Sequence, residues 1–256
     1  MVAIQKGGQA KTTSTVILAE MLALSGFKVL VLDLDSQGNS TQMLTQKSIY
    51  ENSGKTILEA IKESDPRKYL IHAKENIDLL PADDMLVSFS RYIYQGKVHN
   101  PIHTLGNTIR EIEDDYDIIL MDCPPNLGDI VLNAIVYSDY IIVPVKPEAF
   151  GNDAVDRFVD NIEDAKKAGH TAAEILGILF TLRDSRIKLE KTVGNDIRKR
   201  YGKLVFDTEI RLRARLEEYA LTGVRMDKKA DVEALEDYIA LAEEVITRIK
   251  EMKKHG

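Results

Sequence analysis

Two lysines, two glycines and two threonines crowd into eight residues: Lys6-Gly7-Gly8-Gln9-Ala10-Lys11-Thr12-Thr13. A glycine-rich turn lets successive backbone N–H groups point inward around a phosphate chain. A helix that starts directly after such a turn adds unpaired N–H groups and the positive end of its dipole. Lys11 supplies a point charge for the outer phosphates, and the Thr12 hydroxyl beside it can ligate Mg²⁺. Two further acids stand where such a site would need them. Asp35 stands at the end of the apolar run Val29–Leu34, within Leu32-Asp33-Leu34-Asp35-Ser36-Gln37-Gly38-Asn39. Asp122 follows the apolar run Ile118–Met121, where a carboxylate has little to do unless a cation shell engages it.

These residues need elements that hold them at one edge. Short apolar runs fall at Val2–Ile4, Val29–Leu34, Ile77–Leu80, Ile118–Met121, Tyr140–Val145, Ile175–Leu182 and Leu204–Phe206. Most lack strict alternation, as strands buried on both faces do. Helical periodicity fits Thr12–Ser25, Ile57–Glu63, Ile102–Asp114, Asp129–Tyr137, Ala154–Ala168, Lys188–Arg200 and Leu212–Leu221. The alternation predicts an α/β fold: a mostly parallel, twisted sheet with helices on both faces. Ligands then sit at the carboxyl ends of the strands, where the polar motifs fall. A last amphipathic helix over 230–253 is expected to dock on the same domain, which spans residues 1–256. Its polar face carries Glu233, Glu236, Asp237, Glu243 and Glu244, which anionic lipid would repel. Ile49–Tyr69 and Asp83–Pro101 are polar and irregular, and are expected as insertions near the site.

Composition narrows the class. The 256 residues suffice for a sizeable core, and no apolar run approaches the length of a membrane span. No basic-then-apolar leader is expected. The one cysteine, Cys123, makes no intrachain disulfide, which fits a reducing, cytoplasmic setting. His72, His99, His103, His170 and His255 form no metal pattern, and Tyr92 and Tyr94 read as packing residues. The net charge of −7 conceals an asymmetry: residues 183–229 hold 14 Lys+Arg against 8 Asp+Glu, whereas residues 1–182 hold 16 against 26. One basic stretch in an acidic protein is either a solvated helical surface or a patch for a polyanion.

The loop lacks the two glycines of an ordinary Walker A motif, having Gln5 and Ala10 in their places. It resembles instead the deviant Walker A, K-G-G-x-G-K-[ST]-[ST], of the ParA/MinD ATPases, a P-loop NTPase fold. Asp35 sits in a segment similar to that family's D-x-D-P-Q-G-N, with Ser36 for the proline. Tyr116–Pro125 resembles its Walker B strand and switch loop. The resemblance runs from Val2 to about Arg225. It implies ATP and Mg²⁺ as ligands, with Lys6, Gly7, Gly8, Gln9, Ala10, Lys11, Thr12 and Thr13 around the nucleotide. Thr12, Asp35 and Asp122 would stand at the metal, the acids through water. Asp35 would position the attacking water, and Lys6 would cross a dimer interface to the partner's phosphates. Ala10 departs from the family's glycine: it costs about 1 kcal/mol or more if φ is positive there, and nothing if the position is helical.

Within the family, nitrogenase-iron-protein relatives need two cysteines per subunit, and MinD-type proteins carry a membrane helix unlike the acidic one here. The resemblance is to the small ParA class, without an N-terminal helix-turn-helix. That class implies DNA partition by an ATP-bound sandwich dimer, cytoplasmic and nucleoid-associated. The dimer binds DNA without sequence preference and is released when a centromere-binding, ParB-like partner stimulates hydrolysis. Arg186 and Arg215 match positions of DNA-binding arginines in the family, and Arg211, Arg213 and Lys188 of the basic stretch join them as candidates. Two alternatives remain at this level: a nucleotide-gated binding module with negligible hydrolysis, motivated by Ala10, and a metabolic P-loop enzyme of the same fold.

Overall fold

The computed structural model describes residues 1–96 and 98–255. Lys97, inside the stretch Asp83–Pro101, and Gly256 lie outside the described residues. Among the described residues seven strands form: β1 (Val29–Asp33), β2 (Ile71–Lys74), β3 (Ile77–Leu80), β4 (Ile118–Asp122), β5 (Tyr140–Val145), β6 (Glu174–Arg183) and β7 (Val205–Arg211). Among the same residues ten α-helices accompany them: α1 (Lys11–Leu24), α2 (Asn39–Thr45), α3 (Ile57–Glu63), α4 (Phe89–Ile93), α5 (Thr104–Ile109), α6 (Asp129–Tyr137), α7 (Gly151–Lys167), α8 (Lys188–Tyr201), α9 (Ala214–Thr222) and α10 (Lys229–His255).

The strands run in the order β2-β3-β1-β4 and β5-β6-β7. Val2 joins the two halves through parallel bridges to Asp122 and Ile142. The segment predicted as a strand at Val2–Ile4 therefore does stand between β4 and β5, but pairs only by single bridges. Its ties are Val2 N–H to Met121 O (3.0 Å) and Ala3 N–H to Ile142 O (3.1 Å). Every pairing is parallel except β2 with β3, so the expected sheet forms with one antiparallel edge.

Side chains of β1 alternate between two cores, one on each face of the sheet. Leu30 and Leu32 join Ile57, Ile109, Ala134 and Phe158 from α3, α5, α6 and α7. Val29 and Val31 join Val16, Leu22, Leu235 and Tyr238 from α1 and α10. Burial on both sides explains the continuous apolar runs. The last helix, α10, packs on α1 and β7, with the Tyr238 hydroxyl 3.2 Å from Ser14 Oγ. Arg248 lies over the Phe206 ring, 4.2 Å from its centroid, and donates to Val205 O.

Four expectations change. The helix expected over Ile102–Asp114 is broken: Pro101–His103 and Glu113–Asp115 are 3₁₀ turns, and only Thr104–Ile109 is α-helical. β7 runs on to Arg211, well past the predicted Phe206, because Glu209 and Arg211 are held by ion pairs at its end. β2 and α2 have no counterpart among the predicted elements. β2 is an edge strand with no fully buried residue, and α2 opens on the polar run Asn39-Ser40-Thr41-Gln42.

Candidate active site

The site forms where the ends of β1, β4, β5 and β6 meet the N-terminus of α1. Residues 5–10 turn from the Met1–Ile4 segment into α1, with Gly8 at φ 70° and Ala10 at φ 54°, ψ 32°. Ala10 is thus a left-handed N-cap without a side-chain cap bond. The open question about its glycine-like position is settled: alanine bears the cost of a Cβ in the left-handed region.

Lys11 is buried, and its Nζ donates to Lys6 O at 3.0 Å, folding back across the loop as a phosphate ligand would. Burial pushes its pKa down, while Asp122, Asp35 and Cys123 counter that shift. An ammonium so placed needs anionic company, which a phosphate provides. Gln9 is also buried and braces the loop in two directions. Its Oε1 accepts from Lys146 N–H at 2.6 Å, and its Nε2 donates to Gly7 O at 3.1 Å. Its backbone carbonyl accepts from Thr181 Oγ1 at 3.3 Å. Lys6 turns to the segment after β5: its Nζ is 2.8 Å from Glu148 Oε1 and donates to Ala149 O at 3.4 Å.

The two acids read from the sequence come to adjacent strand ends, and a third joins them. Asp33 and Asp122 are register partners on β1 and β4, both fully buried. Burial is the largest cause raising each carboxyl's pKa; the neighbouring Asp122 adds to it for Asp33. Asp33 Oδ2 accepts from Thr41 N–H (2.8 Å) and Thr41 Oγ1 (2.7 Å), and its Oδ1 accepts from Asp35 N–H (3.2 Å). Asp33 thereby ties the Asp35 loop to α2. Sequence reading passed over it, although it is the first acid of the D-x-D pair. Ser40 Oγ donates to Asp122 Oδ2 at 2.7 Å, and the Thr12 hydroxyl also favours the ionised Asp122. Asp122 Oδ1 is buried and has no partner.

That orphaned oxygen fits a hydrated Mg²⁺ ion, which binds through one or two carboxylates and substrate phosphates rather than an all-protein cage. Among the described residues, no group of three His, Cys, Asp or Glu side chains is gathered closely enough to hold an ion alone. Cys123, next in sequence, is buried, and its thiol pKa is pushed up to about 12, so it is a packing residue.

Asp35 is half-buried; its Oδ1 accepts from Gln37 N–H at 3.0 Å. Gly38 must be glycine: φ is 61°, and a Cβ would lie 2.4 Å from Ile49 Cγ2. A cavity of about 460 Å³ opens beside Asp35, walled by Leu86, Phe89, Pro124, Asn126 and Asp129. Leu86 and Phe89 belong to the stretch expected as an insertion near the site.

The basic candidates lie elsewhere and are mostly engaged. Arg186 is exposed and grips Asp184 through Nε (2.9 Å) and Nη2 (2.7 Å). Arg211 pairs with Asp237 at 2.5 Å, and Arg215 with Asp231 at 2.6 Å and Glu218 at 2.5 Å. Arg213 stands 3.9 Å from Glu236, with its Nε buried and unpartnered. Lys188, at the start of α8, is exposed. The acids holding Arg211, Arg213 and, in part, Arg215 belong to α10, outside the stretch whose charge was counted.

A family profile described as an AAA domain matches residues 1–175. The chain is 31% identical to the chromosome-partitioning ATPase Soj of Thermus thermophilus, over 96% of this chain and 94% of that protein. Apo McdA of Cyanothece superposes with a TM-score of 0.84 at 23% identity, covering 97% of each chain. Cobyrinic acid a,c-diamide synthase of Mycobacterium smegmatis, with ADP and magnesium bound, superposes with a TM-score of 0.81 at 27% identity, covering 97% of this chain and 94% of that one. The phosphate loop, the two strand-end acids and the near full-length match to Soj place this chain in the ParA-type partition ATPases of the ParA/MinD superfamily.

Proposed function

We propose that the chain is a DNA-partition ATPase that uses ATP as a switch. The observation that carries this reading is the position of Lys11 and Lys6 on one loop, beside Asp35 and Asp122 at the ends of β1 and β4. Lys11 and the loop N–H groups bind the phosphates of the chain's own nucleotide. Thr12, and Asp122 through water, would hold Mg²⁺, which when bound neutralises charge on the β- and γ-phosphates. Asp35, fixed by Gln37 N–H, has its second oxygen to accept from the water that attacks the γ-phosphate. Lys6 exchanges Glu148 for the phosphates of a second copy, so the ATP form closes into a sandwich dimer. Hydrolysis removes the γ-phosphate and opens it. The dimer binds DNA without sequence preference, and a centromere-binding, ParB-like protein stimulates release. The protein would be cytoplasmic and nucleoid-associated while ATP-bound. Among the described residues, no helix is long and apolar enough to cross a membrane.

The metabolic reading has the fold of the diamide synthase in its favour, but the more similar Soj favours partition. Calorimetry of Lys11→Ala tests the nucleotide site. ATP binding should be lost, and unchanged affinity would remove the phosphate-loop assignment. Phosphate release measured with and without DNA and the partner separates the ATPase from a module with negligible hydrolysis.

A further inference from the structure

The sheet has a gap at its centre. β4 pairs along its length with β1, and β5 with β6. Among the described residues, the only bridges on the edges that β4 and β5 turn to each other are those of Val2, to Asp122 and to Ile142. Beyond Met1, towards the amino ends of these strands, a cavity of about 750 Å³ opens between them. Ile118, Ile119 and Leu120 line one wall and Tyr140 the other. Met121 O accepts from Val2 N–H, so two residues earlier Ile119 turns its own N–H and C=O to the same side, into the cavity. Tyr140 O accepts from Met1 N at 2.7 Å, so the Tyr140 N–H faces the cavity from the opposite wall. Inward-facing backbone groups are almost always paired, and two facing rows of them call for peptide groups in between. A small apolar ligand would leave both rows unmet.

We propose that this cavity is a strand-binding slot, filled by four extended residues that lead into Met1 and run parallel to β4 and β5. What calls for them is the pair of open edges. The register sets their number: Val2 stands opposite Asp122 and Ile142, so the fourth residue before Met1 reaches Asp117, about 13 Å further at about 3.3 Å per residue. Side-chain alternation sets their chemistry. Met1 and Ala3 join the core beneath α6 and α7, and Val2 joins the core beneath α1 and α10. The first and third residues before Met1 therefore face Leu22, Val245 and Ile249, and the second faces Val136 and Tyr137. All three should be apolar. The fourth stands opposite Asp117, at a rim that also holds Glu113, Asp114 and Asp139 against Arg110, Lys250 and Lys253, so a basic residue suits it. The slot is independent of the nucleotide chemistry proposed above, but its strand would anchor Met1–Ile4, whose other end turns into the phosphate loop.

The test compares residues 1–256 with two proteins extended ahead of Met1, one by Lys-Val-Ile-Val and one by Lys-Asp-Gly-Asp. A third arm adds the free peptide acetyl-Lys-Val-Ile-Val-amide to residues 1–256. Thermal unfolding and amide hydrogen exchange at Ile119 and Tyr140 are read in each. The apolar extension should raise the melting temperature by about 5 °C or more, since it buries three large side chains. It should also slow exchange at both amides at least tenfold, because both gain strand partners. The polar extension should do neither. An apolar extension that leaves melting and exchange at the values of residues 1–256 overturns the proposal. So does a polar extension that matches the apolar one, since the pattern would then be irrelevant. Protection by the free peptide without protection by the linked residues would assign the slot to a separate partner's strand, and overturns it as well.

Discussion

Replacing Ala10 with glycine tests the loop geometry through the sign of a stability change. At φ 54°, ψ 32°, alanine sits in the left-handed region, where a Cβ costs about 1–2 kcal/mol. Glycine removes that cost but gives the unfolded chain more freedom, worth about 0.4–1 kcal/mol. The net expectation is a gain of about 0.5–1 kcal/mol, or a rise of about 1–4 °C in melting temperature for a chain of this size. Were Ala10 an ordinary first-turn helical residue, the same substitution would cost about 1 kcal/mol and lower the melting temperature by a similar amount. Thermal unfolding of Ala10→Gly beside the parent, without nucleotide, separates the two. Ala10→Val supplies a control of opposite direction, since a β-branched side chain fits the left-handed region worse still. ATP affinity of Ala10→Gly should stay close to parental, because the loop already holds the shape that alanine resists. A melting temperature that falls in the glycine variant would refute this reasoning.

Asp35→Ala should bind ATP and dimerise but hydrolyse slowly, leaving a long-lived dimer on DNA; single-turnover phosphate release at the parental rate would show that Asp35 does not position the water. Glu148→Gln releases Lys6 from a partly exposed ion pair worth about 0–1 kcal/mol in each of the two copies, so the ATP-dependent dimerisation constant should tighten by up to about thirtyfold in a sedimentation titration; weaker dimerisation would mean that Glu148 also holds Lys6 in the dimer. Asp122, with a carboxyl raised by burial, should favour the folded state when protonated. That contribution is complete below the unfolded value of about 4 and is lost as pH rises through the raised folded value. Asp122→Asn should therefore raise the melting temperature of the nucleotide-free protein in chelator at pH 8, with the gain shrinking towards pH 5, while ATP loses its Mg²⁺-dependent stabilisation; a gain that does not shrink at low pH would contradict the sign.

Much of this was legible because the chemistry is local. The loop, Asp35 and Asp122 are contiguous motifs, and buried parallel strands such as Tyr140–Val145 announce themselves as unbroken apolar runs. What escaped depends on partners distant in the chain. The Gln9 bond to Lys146 joins residues 137 apart, and nothing in Gln9's neighbours foretells it. β2 is half-exposed and pairs antiparallel at the sheet edge, so its Ile71-His72-Ala73-Lys74 lacks a strand's apolar density. The predicted helix over Ile102–Asp114 has the right periodicity, but Ile112 N–H bonds Ile109 O, a 3₁₀ contact that ends the α-helix early. Charge counting within residues 183–229 misled most: it included Arg211 and Arg215 but not Asp231 and Asp237, which neutralise them from α10.

On the proposed reading, ATP joins two copies through Lys6 and the joined form binds DNA. Analytical sedimentation of the parent and of Lys6→Ala, with ATP and Mg²⁺, with ADP and Mg²⁺, and without nucleotide, each with and without a nonspecific duplex, tests it most directly. A dimer should form with ATP alone, DNA should co-sediment with that dimer only, and the Lys6→Ala protein should bind ATP yet stay monomeric. DNA binding by the monomer irrespective of nucleotide, or a Lys6→Ala protein that dimerises like the parent, would contradict it.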